Sequence, residues 1–256
     1  MASWGLRRPV STLVAALLST GALVACSDSG DDEASAPRIA PESAETTTTT
    51  LEADGTPPPR TSYVAQVNEE IEVWEEANSA DSTTLSPDGE TSDMLTFLVV
   101  DRRDDGWLEV LLPGPPVGSK GFVREEDVFL SRHRFRIEVS ISRNELLVYA
   151  GPLEAVRAPA ALGPDTPPAG TATYVKELLA PEFMNIYGSP VYGLAGFTNS
   201  PEEFKAGSGV AAIHPVDVST LGRPAPAGSI GIDPAVLERL TSGMMLPLGT
   251  PVDIVE

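Results

Sequence analysis

The stretch Phe135–Gly151, FRIEVSISRNELLVYAG, has the pattern of two β-strands joined by a tight turn. In its first half, apolar residues alternate with polar ones: Phe135, Ile137, Val139 and Ile141. Ser142–Asn144 supplies turn-forming residues, and the apolar run Leu146–Tyr149 follows. Because side chains alternate between the two faces of a strand, this spacing predicts a β-hairpin with one buried face.

The chain after this hairpin continues as short β-type runs with one helix. The loop Gly163–Gly170, GPDTPPAG, leads back to a strand, and the runs YGLAGFTN and GVAAIHPVD follow. Asp233 and Pro234 form a typical helix start, with Asp as the N-cap and Pro in the first turn. A closing strand is predicted at Pro251–Val255. The predicted helix places three apolar residues on one face: Val236, Leu237 and Leu240.

Residues 62–130, before the hairpin, contain short β-type runs separated by turns such as SPDGE and LPGPPVGS. This is the pattern of a small all-β barrel. The stretch DGWLEVLLPGPPVGSKGFVREEDV resembles the last strands of a bacterial SH3-like domain, with Trp107 on one strand and Phe122 on the next. The two aromatic residues would line a ligand groove or fill the barrel core. Aromatic residues on strands usually point inward, which favours the core.

The first residues of the chain have the pattern of an export signal. Arg7 and Arg8 precede the mostly apolar stretch Val10–Ala25, as in a secretory signal peptide. The stretch ends in Leu-Val-Ala-Cys at Cys26, which resembles a bacterial lipobox, in which the cysteine becomes the lipidated first residue. Residues 1–26 are therefore predicted to be a lipoprotein signal peptide. The protein is expected to be lipid-anchored on the outer face of the cytoplasmic membrane.

Residues 27–61 have almost no large apolar side chains and are rich in Thr, Pro, Ser and acidic residues. Such a composition cannot bury a core, so a disordered tether is predicted. The formal net charge of −20 and the lack of a basic stripe make nucleic acid a poor partner. Because Cys26 is the single cysteine, the folded part has no disulfide and no thiolate site.

The two histidines are His133 and His214, which are too few for a histidine-rich zinc site. No metal and no cofactor are expected. His133 lies in the basic stretch RHRFR and is predicted to be a solvated linker residue. His214 ends a short apolar run, where a packed histidine and a functional one are both open interpretations.

From about Ser131 to the end, the chain resembles the L,D-transpeptidase catalytic domain, a family of enzymes that act on peptidoglycan through its peptide stems. The residues that carry the resemblance are SRHRFRIEVSISRNELLVY, GPDTPPAG, YGLAGF, AIH, LGR and LPLGTPVDIV, in that order. The resemblance implies a mainly β chain, with an SH3-like barrel at residues 62–130. An L,D-transpeptidase-like β-sandwich with one or two short helices would follow at residues 131–256.

The catalytic stretch of that family reads Ser-His-Gly-Cys, followed by an apolar residue and Arg or Asn. The matching stretch here is RPAPAGSIGI, and the family's upstream His-Gly pair matches His214 and Pro215. The resemblance therefore implies that Ser229 stands in the position of the nucleophilic cysteine, with His214 as the retained base. The residues at the six motif positions are, in order, Pro226, Ala227, Gly228, Ser229, Ile230 and Gly231.

This substitution pattern weakens the expected chemistry. A serine hydroxyl is a far weaker acid than a thiol, so it needs a well-placed base, orienting acid and oxyanion hole. Asp217 is the nearby carboxylate expected to orient His214, whereas Pro215 removes a backbone donor beside it. The resemblance also suggests residues that would contact substrate, although the aromatic ones have core packing as their alternative: Tyr192, Gly193, Phe197, Gly228 and Ile230.

Three functional interpretations follow. The favoured one is a catalytically inactive cell-wall lipoprotein that binds peptidoglycan stem peptides or a wall-enzyme partner. The second is an active peptidoglycan acyl transferase or hydrolase that uses Ser229 as nucleophile and His214 as base. The third is a structural spacer with no ligand groove. The resemblance leaves open whether the chain is an enzyme.

Overall fold

The computed structural model describes residues 60–87, 94–179, 189–197, 211–226 and 229–256. The predicted signal peptide with Cys26, nearly all of the predicted tether, Ala227 and Gly228 lie outside these residues. Within the described ranges the chain consists mostly of strands, with one short α-helix. The prediction of a mainly β protein with a short helix is therefore confirmed.

The first sheet has seven strands in the order β3-β2-β6-β5-β4-β1-β7. A core of buried apolar side chains, among them Phe97, Leu108 and Val123, lies on one side of these strands. Its identity as an SH3-like domain remains a prediction. The strands are β1 (Ser62–Val67), β2 (Ile71–Trp74), β3 (Ser82–Leu85), β4 (Leu95–Arg102), β5 (Trp107–Leu111), β6 (Lys120–Arg124) and β7 (Phe129–His133).

Trp107 is 1% exposed, which confirms that it is a core residue. Its ring meets Trp74 edge-on with 5.0 Å between centroids, and its Nε1 donates a hydrogen bond to Asn78 Oδ1 at 3.1 Å. Phe122 is only half-buried, because it points away from the face on which its neighbour Val123 is buried. The guanidinium of Arg103 lies 4.6 Å from the centre of the Phe122 ring.

The second sheet has ten strands in the order β10-β9-β8-β17-β12-β13-β14-β16-β11-β15. The predicted hairpin is confirmed, since β8 and β9 pair antiparallel with Ile137 opposite Val148. The strands are β8 (Phe135–Ser140), β9 (Glu145–Ala150), β10 (Leu153–Pro159), β11 (Ala161–Leu162), β12 (Ala172–Leu179), β13 (Val191–Leu194), β14 (Ala212–Pro215), β15 (Arg223–Pro224), β16 (Ile230–Ile232) and β17 (Pro251–Val255).

The predicted helix is confirmed as α1 (Pro234–Glu238), which continues into a π-helical turn at Arg239–Gly243. The Asp233 side chain accepts a hydrogen bond from the backbone N–H of Ala235 at 2.7 Å, as an N-cap does. The apolar face packs on the core of the second sheet through Val236, Leu237 and Leu240.

The chain passes from the first sheet to the second between His133 and Phe135. His133 is not solvated as predicted: its ring is partly buried, and Nδ1 accepts a hydrogen bond from the backbone N–H of Phe135 at 3.2 Å. Burial lowers the pKa of His133, although a backbone contact with Gly249 opposes the shift. The junction is thus a packed element rather than a loose linker.

The two sheets belong to one compact unit and touch through buried groups. Tyr174 on β12 is fully buried, and its hydroxyl lies 2.8 Å from the carbonyl oxygen of Thr96 and 3.1 Å from that of Leu111. Gly249 has a φ of +79°, and a Cβ at this position would overlap the side chain of Val64. Only glycine permits both this backbone conformation and this close approach.

Candidate functional site

The candidate site lies where β14 and β16 run side by side in parallel. Ile213 is opposite Ile230, and His214 is opposite Gly231. Both strands are short apolar runs buried along their whole length, as is usual for parallel strands. Ser229 immediately precedes β16, so the fold brings the two predicted catalytic residues into neighbouring strands.

Ser229 and His214 lie on the same face of the sheet. Ile213 and Ile230 point into the hydrophobic core, and side chains alternate along a strand, so the neighbouring His214 and Ser229 point to the other face. They are not directly opposite each other. His214 pairs with Gly231, and Ser229 lies two residues before Gly231. Ser229 is therefore displaced from His214 by about 7 Å along the strand direction and about 5 Å across it.

Ser229 is held firmly by its backbone but not by its hydroxyl. Its carbonyl oxygen accepts hydrogen bonds from the backbone N–H of Gly163 at 2.9 Å and from the Thr166 hydroxyl at 3.0 Å. The residue is 2% exposed, and among the described residues its Oγ has no hydrogen-bond partner. The hydroxyl is therefore not hydrogen-bonded to His214, and a serine–histidine dyad is not assembled in this structure.

His214 is 5% exposed, and this burial disfavours its charged form. Its Nδ1 lies 3.2 Å from the carbonyl oxygen of Pro215. Because a carbonyl can only accept, Nδ1 carries the proton in this contact and Nε2 has the lone pair of a base. Burial lowers the pKa of His214, and the hydrogen bond to Pro215 partly opposes this shift.

Asp217 contacts the turn that follows β14, and its role in orienting His214 stays a prediction. Its side chain is exposed and accepts a hydrogen bond from the backbone N–H of Ser219 at 2.8 Å, which caps the 3₁₀ turn Val218–Thr220. These contacts with Ser219 lower the pKa of the Asp217 carboxyl. Asp217 lies between β14 and the 3₁₀ turn, at the N-cap position, where a side-chain acceptor stabilises the first N–H groups of the turn.

The position of Gly231, where the family motif has Arg or Asn, has no room for a side chain. A Cβ on Gly231 would overlap the side chain of Val216, and it would lie 3.2 Å from the carbonyl oxygen of Ala161. Val216 follows β14 and reaches across to β16. Val216 thus occupies the space that a side chain at position 231 would need.

The predicted substrate-contacting residues that the structure describes are mostly inside the protein. Tyr192 is 1% exposed and its hydroxyl donates to the carbonyl oxygen of Leu240 at 3.2 Å, while burial raises its pKa to about 12. Ile230 is fully buried, Gly193 is buried within β13, and Phe197 is partly buried against the same core. Gly228 lies outside the described residues. The role of this set in substrate binding remains a prediction.

Two residues of the site were not predicted from the sequence. Thr166 fixes the backbone of Ser229, and Val216 fills the space beside Gly231. The quoted loop GPDTPPAG contains Thr166, but nothing in it indicates which carbonyl the hydroxyl would reach. Val216 follows His214 and Pro215, and nothing in the sequence indicates that its side chain packs against Gly231.

No group of three or more His, Cys, Asp or Glu residues suited to a metal occurs in the part of the chain that the structure describes. In the same part, no helix has the length and hydropathy required to cross a membrane.

No protein-family model and no curated protein sequence matches the chain. Among solved structures it is similar to an L,D-transpeptidase from Mycobacterium tuberculosis H37Rv, with 15% identity, a TM-score of 0.38, and coverage of 73% of this chain and 79% of that one. An L,D-transpeptidase from Mycobacterium smegmatis gives 12% identity, a TM-score of 0.37 and coverage of 62% and 82%.

The L,D-transpeptidase from Xylanimonas cellulosilytica gives 15% identity and a TM-score of 0.33, with 47% of this chain covering 59% of that one. The chain thus spans less than two thirds of that structure. At these identities and TM-scores the overlap is a partial similarity of fold, and it assigns no activity and no site residue to this chain.

Proposed function

We propose that this protein is a cell-wall lipoprotein with an L,D-transpeptidase-like domain that binds peptidoglycan stem peptides, or a wall-enzyme partner, without catalysing acyl transfer. The observation that carries the proposal is the state of Ser229. The resemblance assigns Ser229 to the nucleophile position, yet the residue is 2% exposed and its Oγ has no hydrogen-bond partner among the described residues.

An acyl transfer requires a nucleophile that can reach a carbonyl carbon and a base that takes its proton. A serine hydroxyl attacks only when such a base lies within hydrogen-bond distance, about 2.6–3.2 Å. The cavities of about 230, 280, 360 and 500 Å³ formed by described residues are lined by residues other than Ser229 and His214.

The motif position of Gly231 supports the same conclusion. The Arg or Asn of the motif would anchor substrate or brace the loop, but here the space is filled by Val216. Core packing leaves few voids, so restoring the longer side chain would require the neighbouring strand to move. The packing around Gly231 therefore suits glycine, which is what we expect of a domain that keeps the fold but does not catalyse the reaction.

The direct test is titration of the full chain with a disaccharide-tetrapeptide in an isothermal calorimeter, followed by intact-mass analysis of the same sample. We expect saturable binding and an unchanged mass. A mass increase that disappears in Ser229→Ala would overturn the proposal. If titration with the tetrapeptide and titration with a wall enzyme both gave no binding heat, the spacer interpretation would be the one supported.

A serine-dependent acyl transferase or hydrolase is the second candidate. It is favoured by the tautomer of His214, which can accept a proton at Nε2. The contact between Nδ1 and Pro215 leaves the lone pair on Nε2, on the face of the sheet that also carries Ser229. A movement that closed the offset between the two strands would assemble a base and a nucleophile. This candidate predicts turnover that is lost equally in Ser229→Ala and His214→Ala.

Anchoring through a lipid on Cys26, on the outer face of the cytoplasmic membrane, is part of the same proposal. It rests on the Leu-Val-Ala-Cys sequence behind an apolar stretch. Metabolic labelling with a fatty acid should label the wild-type chain and not Cys26→Ala. Equal labelling of both would rule out this anchor without affecting the binding proposal.

A further inference from the structure

Arg136 is a buried cation within the basic stretch RHRFR that the proposed function does not use. It lies on β8 next to Ile137, which is in the hydrophobic core, so Arg136 is on the opposite face of the sheet. The residue is 3% exposed. Its guanidinium stacks 3.7 Å from the centre of the Tyr149 ring, its cross-strand partner on β9.

Two donor atoms of this guanidinium have no acceptor. Both Nε and Nη2 of Arg136 are buried without a hydrogen-bond partner in the described part of the chain. These two nitrogens form one edge of the guanidinium plane, the edge that holds a carboxylate or phosphate through two parallel hydrogen bonds. Buried donors are nearly always satisfied in folded proteins, so an open edge on a buried cation points to a ligand.

The nearest carboxylates are already bound to other arginines. Asp253 accepts hydrogen bonds from Arg60 Nη2 at 2.8 and 3.1 Å, and Glu138 lies 3.4 Å from Arg143. Burial lowers the pKa of Arg136 most, and the positive charge of Arg60 lowers it further. The charges of Arg60, Glu138 and Asp253 all act on Arg136, and both carboxylates have their hydrogen bonds to other arginines.

A cavity of about 360 Å³ borders this cluster. Its lining includes both partners of the exposed ion pair, Arg60 and Asp253, together with Pro251. Pro251 precedes Val252, which pairs with Ile137, so Pro251 lies across from Arg136 on the adjacent strand β17. The cavity is thus lined by the ion pair and by the residue on β17 that lies across from Arg136.

We propose that Arg136 and Arg60 form a binding site for an oxyanion, either a carboxylate or a phosphate group, which enters from this cavity, binds the open edge of Arg136 and replaces Asp253 as the partner of Arg60. The open edge of Arg136 supplies two hydrogen bonds, and Arg60 supplies a second positive charge. The site is separate from Ser229 and His214, so it does not depend on the function proposed above.

The test is the melting temperature of the full chain in sodium phosphate, sodium acetate or sodium chloride at equal pH and ionic strength. An anion that binds only the folded state stabilises it by RT ln(1 + [L]/Kd), so the effect keeps growing with the logarithm of the anion concentration. We expect phosphate or acetate to raise the melting temperature above the chloride value, with this logarithmic dependence on concentration. Stabilisation by only one of the two identifies the oxyanion, and equal melting temperatures in all three salts would refute the site.

Variants separate the site from a general salt effect. Arg136→Met should abolish the anion-dependent stabilisation, and Arg136→Lys, which keeps the charge but loses the paired donors, should weaken the apparent affinity by about 10-fold or more. Arg132→Met is the matched control, since Arg132 is exposed and its removal changes the net charge equally. An anion effect of wild-type size in Arg136→Met, or its loss in Arg132→Met, would contradict the proposal.

Asp253→Asn provides an independent test in the opposite direction. It removes the carboxylate that competes for Arg60, so the anion should bind more tightly than in wild type. An unchanged or lower affinity in Asp253→Asn would show that the anion does not replace Asp253 as the partner of Arg60.

Discussion

Gly231 shows at the level of a single residue how packing restricts the side chain that the site can hold. The space beside its Cα is filled by the side chain of Val216, which follows the neighbouring strand. Glycine suits this position because of that packing, and not because of an unusual backbone conformation. Neither residue alone reveals this arrangement in the sequence. The pair leaves no room for an Arg or Asn side chain at position 231 unless Val216 moves.

We predict that Gly231→Asn destabilises the fold by about 1–3 kcal/mol, the usual cost of overpacking a filled site. The double variant Gly231→Asn with Val216→Ala should recover part of that loss, because the two residues share one space. Urea unfolding of the wild type, both single variants and the double variant measures the coupling. Additive effects of the two substitutions would show that they do not compete for this space.

The two histidines predict a dependence of stability on pH. Burial lowers the pKa of both His133 and His214, so each binds a proton less readily in the folded state than in the unfolded chain. Protonation therefore favours unfolding, and the free energy of unfolding should fall as the pH drops from 7 through about 6.5, the ordinary histidine pKa, toward 5.

Urea unfolding at pH 7 and pH 5 checks this expectation. The double variant His133→Gln with His214→Gln should lose most of the pH dependence in this window, which lies above the range where carboxylates titrate. Equal stability of the wild type at both pH values would contradict the expected sign.

At the scale of elements, local sequence patterns predicted those structures that local forces determine. The β8–β9 hairpin follows from alternating apolar residues, and α1 follows from Asp233 and Pro234. The parallel pairing of β14 with β16 joins segments distant in sequence and depends on the whole sheet. Sequence reasoning therefore named Ser229 and His214 as partners but could not give their offset, and it missed that Asp217 caps a turn.

The cap of α1 gives a prediction at this scale. Asp233→Ala should destabilise the protein by about 1 kcal/mol, because it removes the acceptor of the Ala235 N–H at the start of the helix. Glu238→Ala, an acidic residue at the exposed end of the same helix, is the matched control and should have a smaller effect. Thermal unfolding compares the two, and equal losses would show that the cap bond contributes nothing specific.

At the scale of the whole molecule, the two sheets are joined by buried contacts rather than by the connecting segment alone. Tyr174 reaches from the second sheet to two carbonyl oxygens of the first, and Gly249 allows its loop to approach Val64 closely. His133 is packed at the junction between the sheets. These contacts couple the sheets, so we expect them to unfold in a single transition.

Tyr174→Phe tests this coupling with a minimal change of shape. The loss of the hydroxyl leaves the carbonyl groups of Thr96 and Leu111 without this donor and should cost about 1–3 kcal/mol. Tyr192→Phe is the control, because its buried hydroxyl donates to the carbonyl oxygen of Leu240, which follows α1, and in the described part of the chain makes no bond to the first sheet. In calorimetry, Tyr174→Phe should weaken the cooperativity between the sheets, whereas Tyr192→Phe should not; the same change in both would contradict the proposed coupling.

The central claim concerns the chemistry of Ser229, and intact-mass spectrometry tests it most directly. The full chain and its Ser229→Ala variant are each incubated with a disaccharide-tetrapeptide and, separately, with a carbapenem. Because the hydroxyl is buried and not bonded to His214, we expect no covalent adduct in either protein. A stable mass increase in the wild type that is absent from Ser229→Ala would show a working serine nucleophile and contradict the claim.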